Sequence, residues 1–165
     1  MTGISKSIAR SRRTLIDELG RRGPNLTFAE ACNMNAVEIG DRLALIDRRN
    51  RFTWSEVKSV SDRLAQTLLE RDIMRPDIVM IHLPNSAEQF LIRLACEKSG
   101  VRIVLTNSAF RETELFSIIE RTKPRIAFVS KASAVRGHYD QLRKVLAERG
   151  IELSFVLIGG EGDEI

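Results

Sequence analysis

The sequence predicts an α/β fold, a three-layer βαβ lobe with a parallel sheet, preceded by N-terminal helices and a short β-hairpin. From residue 77 onward, short apolar runs alternate with longer segments of helical periodicity. Each connecting segment is long enough for a right-handed crossover helix, which makes neighbouring strands parallel and places helices on both faces. At 165 residues, the chain is expected to form one domain or one lobe of a larger one.

Two short helices are predicted at the start of the chain. The first is Thr14–Arg22, which Gly23-Pro24 ends. The second covers 26–35, where Thr27 as N-cap and Glu30 three residues later have the spacing of a capping box. Both helices precede the first predicted strand, so this part of the chain is interpreted as a helical lead.

A hairpin and a longer helix follow. Residues 43–47, which are apolar as far as Ile46, and the pair 52–53 predict its two arms, because a polar turn separates them. Thr53 or Ser55 is then expected to cap a helix that continues to Arg71, since apolar residues recur along one helical face.

The regular second half predicts four strands and three helices. Residues 78–83 are apolar almost throughout, which is typical of a strand buried on both faces. Gly100 and Gly150 provide helix ends, and Pro124 ends the helix before it. The predicted strands are 78–83, 101–105, 126–130 and 153–158, and the predicted helices are 87–99, 111–122 and 138–149.

Charge and composition bear on the class of partner. The net charge is +4, but the basic residues are scattered and aromatic residues make up only 5%. A surface that stacks bases needs aromatic rings interleaved with the cations. The sequence therefore predicts a solvated arginine-rich surface and no nucleic-acid partner. A basic nucleic-acid-binding domain stays as the second alternative, recognisable by binding that weakens steeply with salt.

The two cysteines and the hydropathy pattern indicate a cytoplasmic chain. Cys32 and Cys96 lie far apart in predicted helices, which is typical of small buried thiols in a reducing compartment rather than of a disulfide or metal pair. No apolar run approaches the roughly 18 residues of a membrane span. The first 16 residues lack the apolar stretch of a signal peptide.

A phosphate-binding loop is the first chemistry to consider. Gly159-Gly160-Glu161-Gly162 follows the last strand, where α/β folds hold phosphates. Neither the G-x-x-x-x-G-K-[ST] pattern nor G-x-G-x-x-G is present, and the acidic Asp163-Glu164 comes next. The segment is interpreted as a turn that leaves the sheet.

The two histidines do not form a recognisable site either. His82 falls within the buried strand and is interpreted as a core histidine, and His138 opens the last helix. The chain contains no G-x-S-x-G nucleophile elbow and no cysteine or carboxylate at zinc-ligand spacing from these residues. The residues alone predict a fold, with no catalytic, cofactor-binding or metal-binding residue.

Five segments in order resemble a known family. The hairpin at 40–46 looks like "D-x-x-A-L", Thr53-Trp54-Ser55-Glu56-Val57 looks like "[TS]-[YW]-x-E-[LV]", and 77–90 contains the strand and turn that end in Pro84-Asn85-Ser86. Residues 100–107 and 114–124 follow with a glycine-led strand and a glutamate-led helix. Residues 40–158 thus resemble the N-terminal region of the adenylate-forming (AMP-binding) acyl-CoA synthetase/ligase superfamily. Leu105 and Ser108 stand where the family has prolines, and Val101 where it has alanine.

The resemblance implies a function for a longer enzyme. A carboxylate would attack ATP to give acyl-AMP, and a thiol, usually that of coenzyme A, would then displace AMP; ATP, Mg²⁺ and coenzyme A are the implied cofactors. The family's ATP-handling loop and lysines come later than this region, so no site residue is carried over. This chain alone is expected to be inactive, and the resemblance places the parent enzyme in fatty acid metabolism.

The resemblance also implies the domain division and the partners. Residues 1–39 are expected to be the helical lead, and 40–165 the N-terminal part of the large adenylating domain, truncated before its ATP-binding loop. The expected partners are the remainder of that domain and the carboxylic acid substrate of the parent enzyme. Apolar surface left uncovered is expected to cause self-association.

A free-standing doubly wound module is the first alternative. Such a module would bind a small molecule or regulate another protein. Its site would lie at the carboxyl ends of the strands, around Pro84-Asn85, Thr106-Asn107 and Ser130-Lys131.

Overall fold

The computed structural model describes residues 26–135, 137 and 139–159. The predicted helix Thr14–Arg22, His138 and Gly160-Glu161-Gly162 lie outside the described residues. The helices are α1 (Phe28–Glu38), α2 (Trp54–Glu70), α3 (Ala87–Lys98), α4 (Glu112–Thr122), α5 (Lys131–Val135) and α6 (Asp140–Glu148). The strands are β1 (Leu43–Ile46), β2 (Arg51–Thr53), β3 (Ile78–His82), β4 (Arg102–Leu105), β5 (Ile126–Ser130) and β6 (Ser154–Ile158).

The four predicted strands of the second half form one parallel sheet, as expected. Their spatial order is β4-β3-β5-β6, so β3 and β5 are the inner strands. All three neighbouring pairs are parallel, and β5 and β6 pair over their full length, from Ile126 opposite Ser154 to Ser130 opposite Ile158. β1 and β2 form the predicted antiparallel hairpin.

Alternation along the inner strands divides the core into two layers. Val79 and Ile81 point to one face of the sheet, which we call the first face, and pack with residues of α2 and α3. Met80 points to the opposite, second face and packs with residues of α4 and α6. Side chains on successive strand residues point to opposite faces, so one apolar strand serves both layers. The expectation of helices on both faces is confirmed.

A third apolar cluster attaches α1 and the hairpin to the lobe. Its buried members come from three helices: Ala29, Cys32, Val57, Leu91 and Leu94. Thr27 and Glu30 form the predicted capping box at the start of α1. At the start of α2, Thr53 is the cap rather than Ser55, because its side chain accepts from the Glu56 amide while the Glu56 carboxylate accepts from the Thr53 amide.

Polar contacts reinforce the same junction. Glu97 Oε1 in α3 accepts from the amide of Ala29 in the first turn of α1 at 3.1 Å. Lys98, whose side chain is 9% exposed, donates to Asp62 Oδ1 at 2.6 Å and to Ser61 Oγ at 2.8 Å in α2. A buried ammonium group is tolerated when it is paired and hydrogen-bonded. These contacts hold α1, α2 and α3 in one arrangement.

Gly40 allows the backbone to pass close to its neighbours between α1 and the hairpin. A Cβ atom at this position would lie 2.6 Å from the Ala36 carbonyl oxygen and 2.4 Å from Ser55 Oγ. The Gly40 carbonyl also accepts from the Ser55 amide at 3.0 Å. Close approach of this kind is open only to glycine.

Two helices of the second half differ from the sequence-based prediction. The helix predicted from His138 begins at Asp140, and the short helix α5 at Lys131–Val135 was not predicted. Five residues are too few to display a helical period. A local contact stabilises this turn, because the Ser133 amide donates to Ser130 Oγ at 3.4 Å.

Candidate functional site

The carboxyl ends of β3 and β5 mark the topological switch point of the sheet. After β3 the chain enters α3, which packs on the first face. After β5 it continues through α5 to α6, which packs on the second face. Because β3 and β5 are neighbours, their loops leave in opposite directions. Ligands of open α/β sheets bind outside the carboxyl ends at such a point.

His82, at the end of β3, lies at this edge and bonds to the residue that follows β4. His82 is 4% exposed and Thr106 is 7% exposed. His82 Nδ1 lies 2.9 Å from Thr106 Oγ1, which in turn lies 3.3 Å from the Ile81 carbonyl oxygen. Since the single hydroxyl proton is directed to that carbonyl, we assign the His82 proton to Nδ1, which donates to Thr106. The interpretation of His82 as a satisfied core histidine is confirmed.

Tyr139, the residue before α6, packs against His82 on the second face of the sheet. Its ring meets the His82 ring edge to face, with centroids 5.9 Å apart, and stacks on Phe155 at 5.9 Å. Burial raises the pKa of the Tyr139 hydroxyl, and a hydrogen bond with Ser133 partly offsets that rise. Tyr139 and Ser133 were not among the predicted site positions, because nothing local in the sequence links them to β3.

Three further polar side chains near these strand ends make local contacts with the backbone. Asn107 Oδ1 accepts from the Ala109 amide at 2.9 Å. Gln89 Nε2 donates to the Leu83 carbonyl at 3.2 Å, and Ser86 Oγ accepts from the Gln89 amide at 3.3 Å. Thr106 follows β4 and Ser130 ends β5, so both lie at the edge of the sheet where His82 ends β3. These contacts stabilise turns and helix starts.

Burial makes His82 a source of pH-dependent stability. Desolvation lowers the pKa of His82 below its ordinary value of 6.5. The unfolded chain therefore takes up a proton near pH 6.5 while the folded chain does not. The His82 contribution is present above pH 6.5 and is lost as the pH falls toward the lowered folded-state pKa, with a slope of at most about 1.4 kcal/mol per pH unit.

We expect His82→Gln to flatten the decline in the free energy of unfolding below pH 6.5. Urea unfolding at pH 7.5, 6.5 and 5.5 measures it, and His138→Gln controls for the loss of a histidine elsewhere. A parent protein whose free energy of unfolding is the same at pH 7.5 and 5.5 would contradict the assignment.

The cysteines are structural in this part of the molecule. Both are free and buried, as expected. Burial raises the pKa of Cys32, and it raises the pKa of Cys96 to about 12. A thiol is a nucleophile or metal ligand only as the thiolate, which these environments disfavour. Within residues 26–135, 137 and 139–159, no group of three or more His, Cys, Asp or Glu side chains could hold a metal ion.

Three arginines lie over aromatic rings. Their guanidinium groups lie 5.1–5.6 Å from ring centroids, within the range of a cation–π contact. The pairs are Arg93–Phe28, Arg143–Phe155 and Arg149–Phe116. The absence of a nucleic-acid partner stays a prediction.

No helix in the described part of the chain is both long and apolar enough to cross a bilayer.

Curated relatives match most of this chain but only part of their own length. Protein Y of Streptomyces griseus is 31% identical over 134 residues, covering 81% of this chain and 42% of that protein. Pseudomonine synthase PmsE of Pseudomonas entomophila is 32% identical, covering 73% and 20%. 4-Coumarate–CoA ligase 1 of Petroselinum crispum is 27% identical, covering 74% and 22%. The chain thus spans well under two thirds of each of these relatives.

Solved structures share the fold. The luciferase-like enzyme of the mealworm Zophobas morio superposes with a TM-score of 0.70 at 22% identity, covering 86% of this chain and 34% of that one. The Klebsiella oxytoca NpsA N-terminal subdomain, in complex with anthranilyl-AMSN, has a TM-score of 0.58 at 24% identity, covering 62% and 26%. The model of the AMP-binding enzyme family matches residues 33–160. The chain therefore belongs to the AMP-binding, adenylate-forming enzyme family.

Proposed function

We propose that this chain is the N-terminal lobe of an ATP-dependent carboxylate–CoA ligase, and that it supports the site without carrying out the chemistry. The family match over residues 33–160 is the observation that carries the proposal. The relatives include 4-coumarate–CoA ligases and medium-chain acyl-CoA ligases, which supports a carboxylic acid as the substrate of the whole enzyme. Residues 40–165 would belong to its large adenylating domain, after a lead at 1–39.

Four polar residues at the switch point are not free to bind a nucleotide. His82, Thr106, Asn107 and Ser130 bond to one another or to nearby backbone groups. A phosphate would need donors directed outward, as in a glycine-rich loop followed by lysine. ATP, Mg²⁺ and coenzyme A would therefore be held by other parts of the enzyme. The contribution of this lobe would be a rigid parallel sheet that positions the substrate side.

We expect the 165-residue chain to show no carboxylate-dependent ATP–pyrophosphate exchange above the no-enzyme control. The phosphate loop and catalytic lysine implied by the family resemblance are absent from its sequence. Losing even one donor that stabilises the transferring group costs about 10²–10³ in rate. Exchange by the chain alone would contradict the proposal.

A chimera gives the proposal a positive test. Residues 33–160 would replace the matched segment of the Petroselinum crispum ligase. If the chimera retains ATP–pyrophosphate exchange, measured against the unaltered ligase, this lobe can replace the corresponding part of a working enzyme, as the proposal expects. Circular dichroism first establishes that the chimera is folded, and a folded chimera without exchange would count against the proposal.

The sheet order favours one second candidate, a free-standing small-molecule-binding or regulatory module, because it places the ends of β3 and β5 side by side at a switch point. Such a module is stabilised by its ligand, by about 2.7 kcal/mol at a ligand concentration of 100 Kd. A thermal-shift scan with nucleotides, acyl-CoAs and free carboxylic acids distinguishes this module from the supporting lobe of a ligase. A saturable rise in Tm favours the module, and an unchanged Tm favours the supporting lobe.

A further inference from the structure

A buried contact joins the end of the inner strand β3 to the connection that leads into α6. The rings of His82 and Tyr139 meet at 81°, with centroids 5.9 Å apart, and Tyr139 is 3% exposed. Tyr139 also hydrogen-bonds with Ser133 of α5. The Ser133 amide in turn donates to Ser130 Oγ at the end of β5. Contacts that involve side chains thus attach Tyr139 and α5 to the carboxyl edge of the sheet.

The other side of His82 is held by the backbone of the sheet. β3 pairs with β4 and with β5. Thr106, which accepts from His82 Nδ1, donates its own amide to the Ile81 carbonyl at 3.1 Å. Moving Thr106 away would break backbone hydrogen bonds, whereas moving Tyr139 would separate side chains. The Tyr139 side is therefore the one that can open while the strands stay paired.

No charged group compensates a proton on His82 within the part of the chain that the structure describes. Tyr139 is the titratable group against its ring. Charged residues do occur on the helices of the second face, but burial alone lowers the pKa of His82 and none of them shifts it. They are Glu112, Glu114, Glu120 and Arg121 of α4, Lys131 of α5, and Asp140, Arg143, Lys144 and Glu148 of α6. A buried charge without a partner of opposite charge costs free energy, so a protonated His82 favours contact with water.

We propose that His82 and Tyr139 form a latch, which is closed while His82 is neutral and opens when His82 takes up a proton. Opening moves Tyr139 and α5 away from the end of β3 and leaves the four-stranded sheet paired. The latch lies at the carboxyl edge, where ligands of open α/β sheets bind. Acidity would therefore change the surface that this edge offers. The proposal does not depend on the ligase function proposed above.

Proton linkage sets the direction and the size of the effect. The open form takes up its proton near pH 6.5, whereas the closed form does so only at lower pH, because burial lowers the pKa of His82. The closed form is thus favoured fully above pH 6.5 and loses this advantage as the pH falls. The ratio of open to closed forms rises by at most about tenfold between pH 7.5 and 5.5.

An NMR titration of the 165-residue chain from pH 7.5 to 5.0 tests the coupling. The chain has two histidines, one tyrosine and one tryptophan, so the ring signals are few. We expect His82 to titrate below pH 6.5 and the Tyr139 ring signals to shift with the same midpoint. Trp54 packs against the third cluster, away from the latch, and its signals should not follow that midpoint.

Two glutamine variants link the transition to one histidine. His82→Gln is expected to abolish the Tyr139 transition, because a glutamine amide can still donate to Thr106 but does not titrate. His138→Gln removes the other histidine and is the matched control, which should keep the transition. The titration of the parent chain decides the coupling by itself if His82→Gln does not fold.

Hydrogen exchange, corrected for the intrinsic effect of pH, tests whether the opening is local. Between pH 7.5 and 5.5, the amides of α5 are expected to exchange faster by up to about tenfold in the parent chain and in His138→Gln. The amides of β3 and β5 should not accelerate, since the sheet stays paired. In His82→Gln, α5 should keep the same corrected rate at both pH values.

Several results would overturn the latch. One is a His82 midpoint at or above pH 6.5, or no titration of His82 before the chain unfolds in acid. Another is a titration of His82 that leaves the Tyr139 signals unchanged, or a Tyr139 transition that persists in His82→Gln. A joint response of Tyr139, Trp54 and the β3 amides would show global unfolding instead of local opening.

Discussion

Replacing Asp47 with alanine is expected to lower the free energy of unfolding by about 2–3 kcal/mol, because it removes charge-assisted hydrogen bonds that join two elements. Asp47 Oδ2 accepts from the amide of Ala87, the first residue of α3, at 2.9 Å. Asp47 Oδ1 accepts from the amides of Arg49 and Asn50 in the hairpin turn at 2.8 and 2.7 Å. One carboxylate thus orders the turn and stabilises a helix N-terminus.

The same hydrogen bonds make this contribution dependent on pH. The Ala87 amide above all, then the Arg49 and Asn50 amides, lower the pKa of Asp47 to about 2. The folded-state pKa is below the unfolded value near 3.9, so the contribution is complete above pH 4 and is lost as the pH falls toward 2.

Urea unfolding of the parent, Asp47→Ala and Asp47→Asn at pH 7, 4 and 3 measures both effects. The asparagine variant keeps one acceptor oxygen and should lose roughly half as much stability as the alanine variant. Asp41→Ala, at an exposed position, controls for the loss of one negative charge. The assignment fails if Asp47→Ala and Asp41→Ala lose the same stability.

Replacing Leu94 with alanine is expected to cost about 2–5 kcal/mol, because it opens a cavity in the cluster that attaches α1 to the lobe. Leu94 is fully buried, at 0% exposure. It packs with Ala29 and Cys32 of α1 and with Val57 of α2. Deleting three carbon atoms there removes contacts with two neighbouring helices at once.

The destabilisation caused by Leu94→Ala should also be concentrated in one region of the fold. Hydrogen exchange is expected to accelerate in α1 more than in β3 and β5, whose core clusters do not contain Leu94. Leu69→Ala in α2, at a residue that is 43% exposed, is the matched control and should cost less than about 1 kcal/mol. Equal losses for the two variants, or uniform acceleration of exchange, would contradict this role for the cluster.

The sequence by itself determined the identity and approximate bounds of nearly every described element. Strands 78–83, 101–105, 126–130 and 153–158 were each predicted to within about one residue of the observed bounds. The capping pair Thr27 and Glu30 and the glycine helix ends at 100 and 150 were also readable. All these signals are short-range: they depend on the period of apolar residues and on hydrogen bonds three or four residues apart.

The tertiary structure alone decided which strands are neighbours and which polar groups meet. The order β4-β3-β5-β6 makes β6 an edge and places β3 beside β5 at the switch point. The carboxylate of Asp47 meets an amide 40 residues away, and His82 meets Thr106 across 24 residues. Tyr139 joins that pair from a connection whose sequence contains no signal for it. Such contacts form only when the chain folds back on itself, so neither the local period of apolar residues nor a helix cap predicts them.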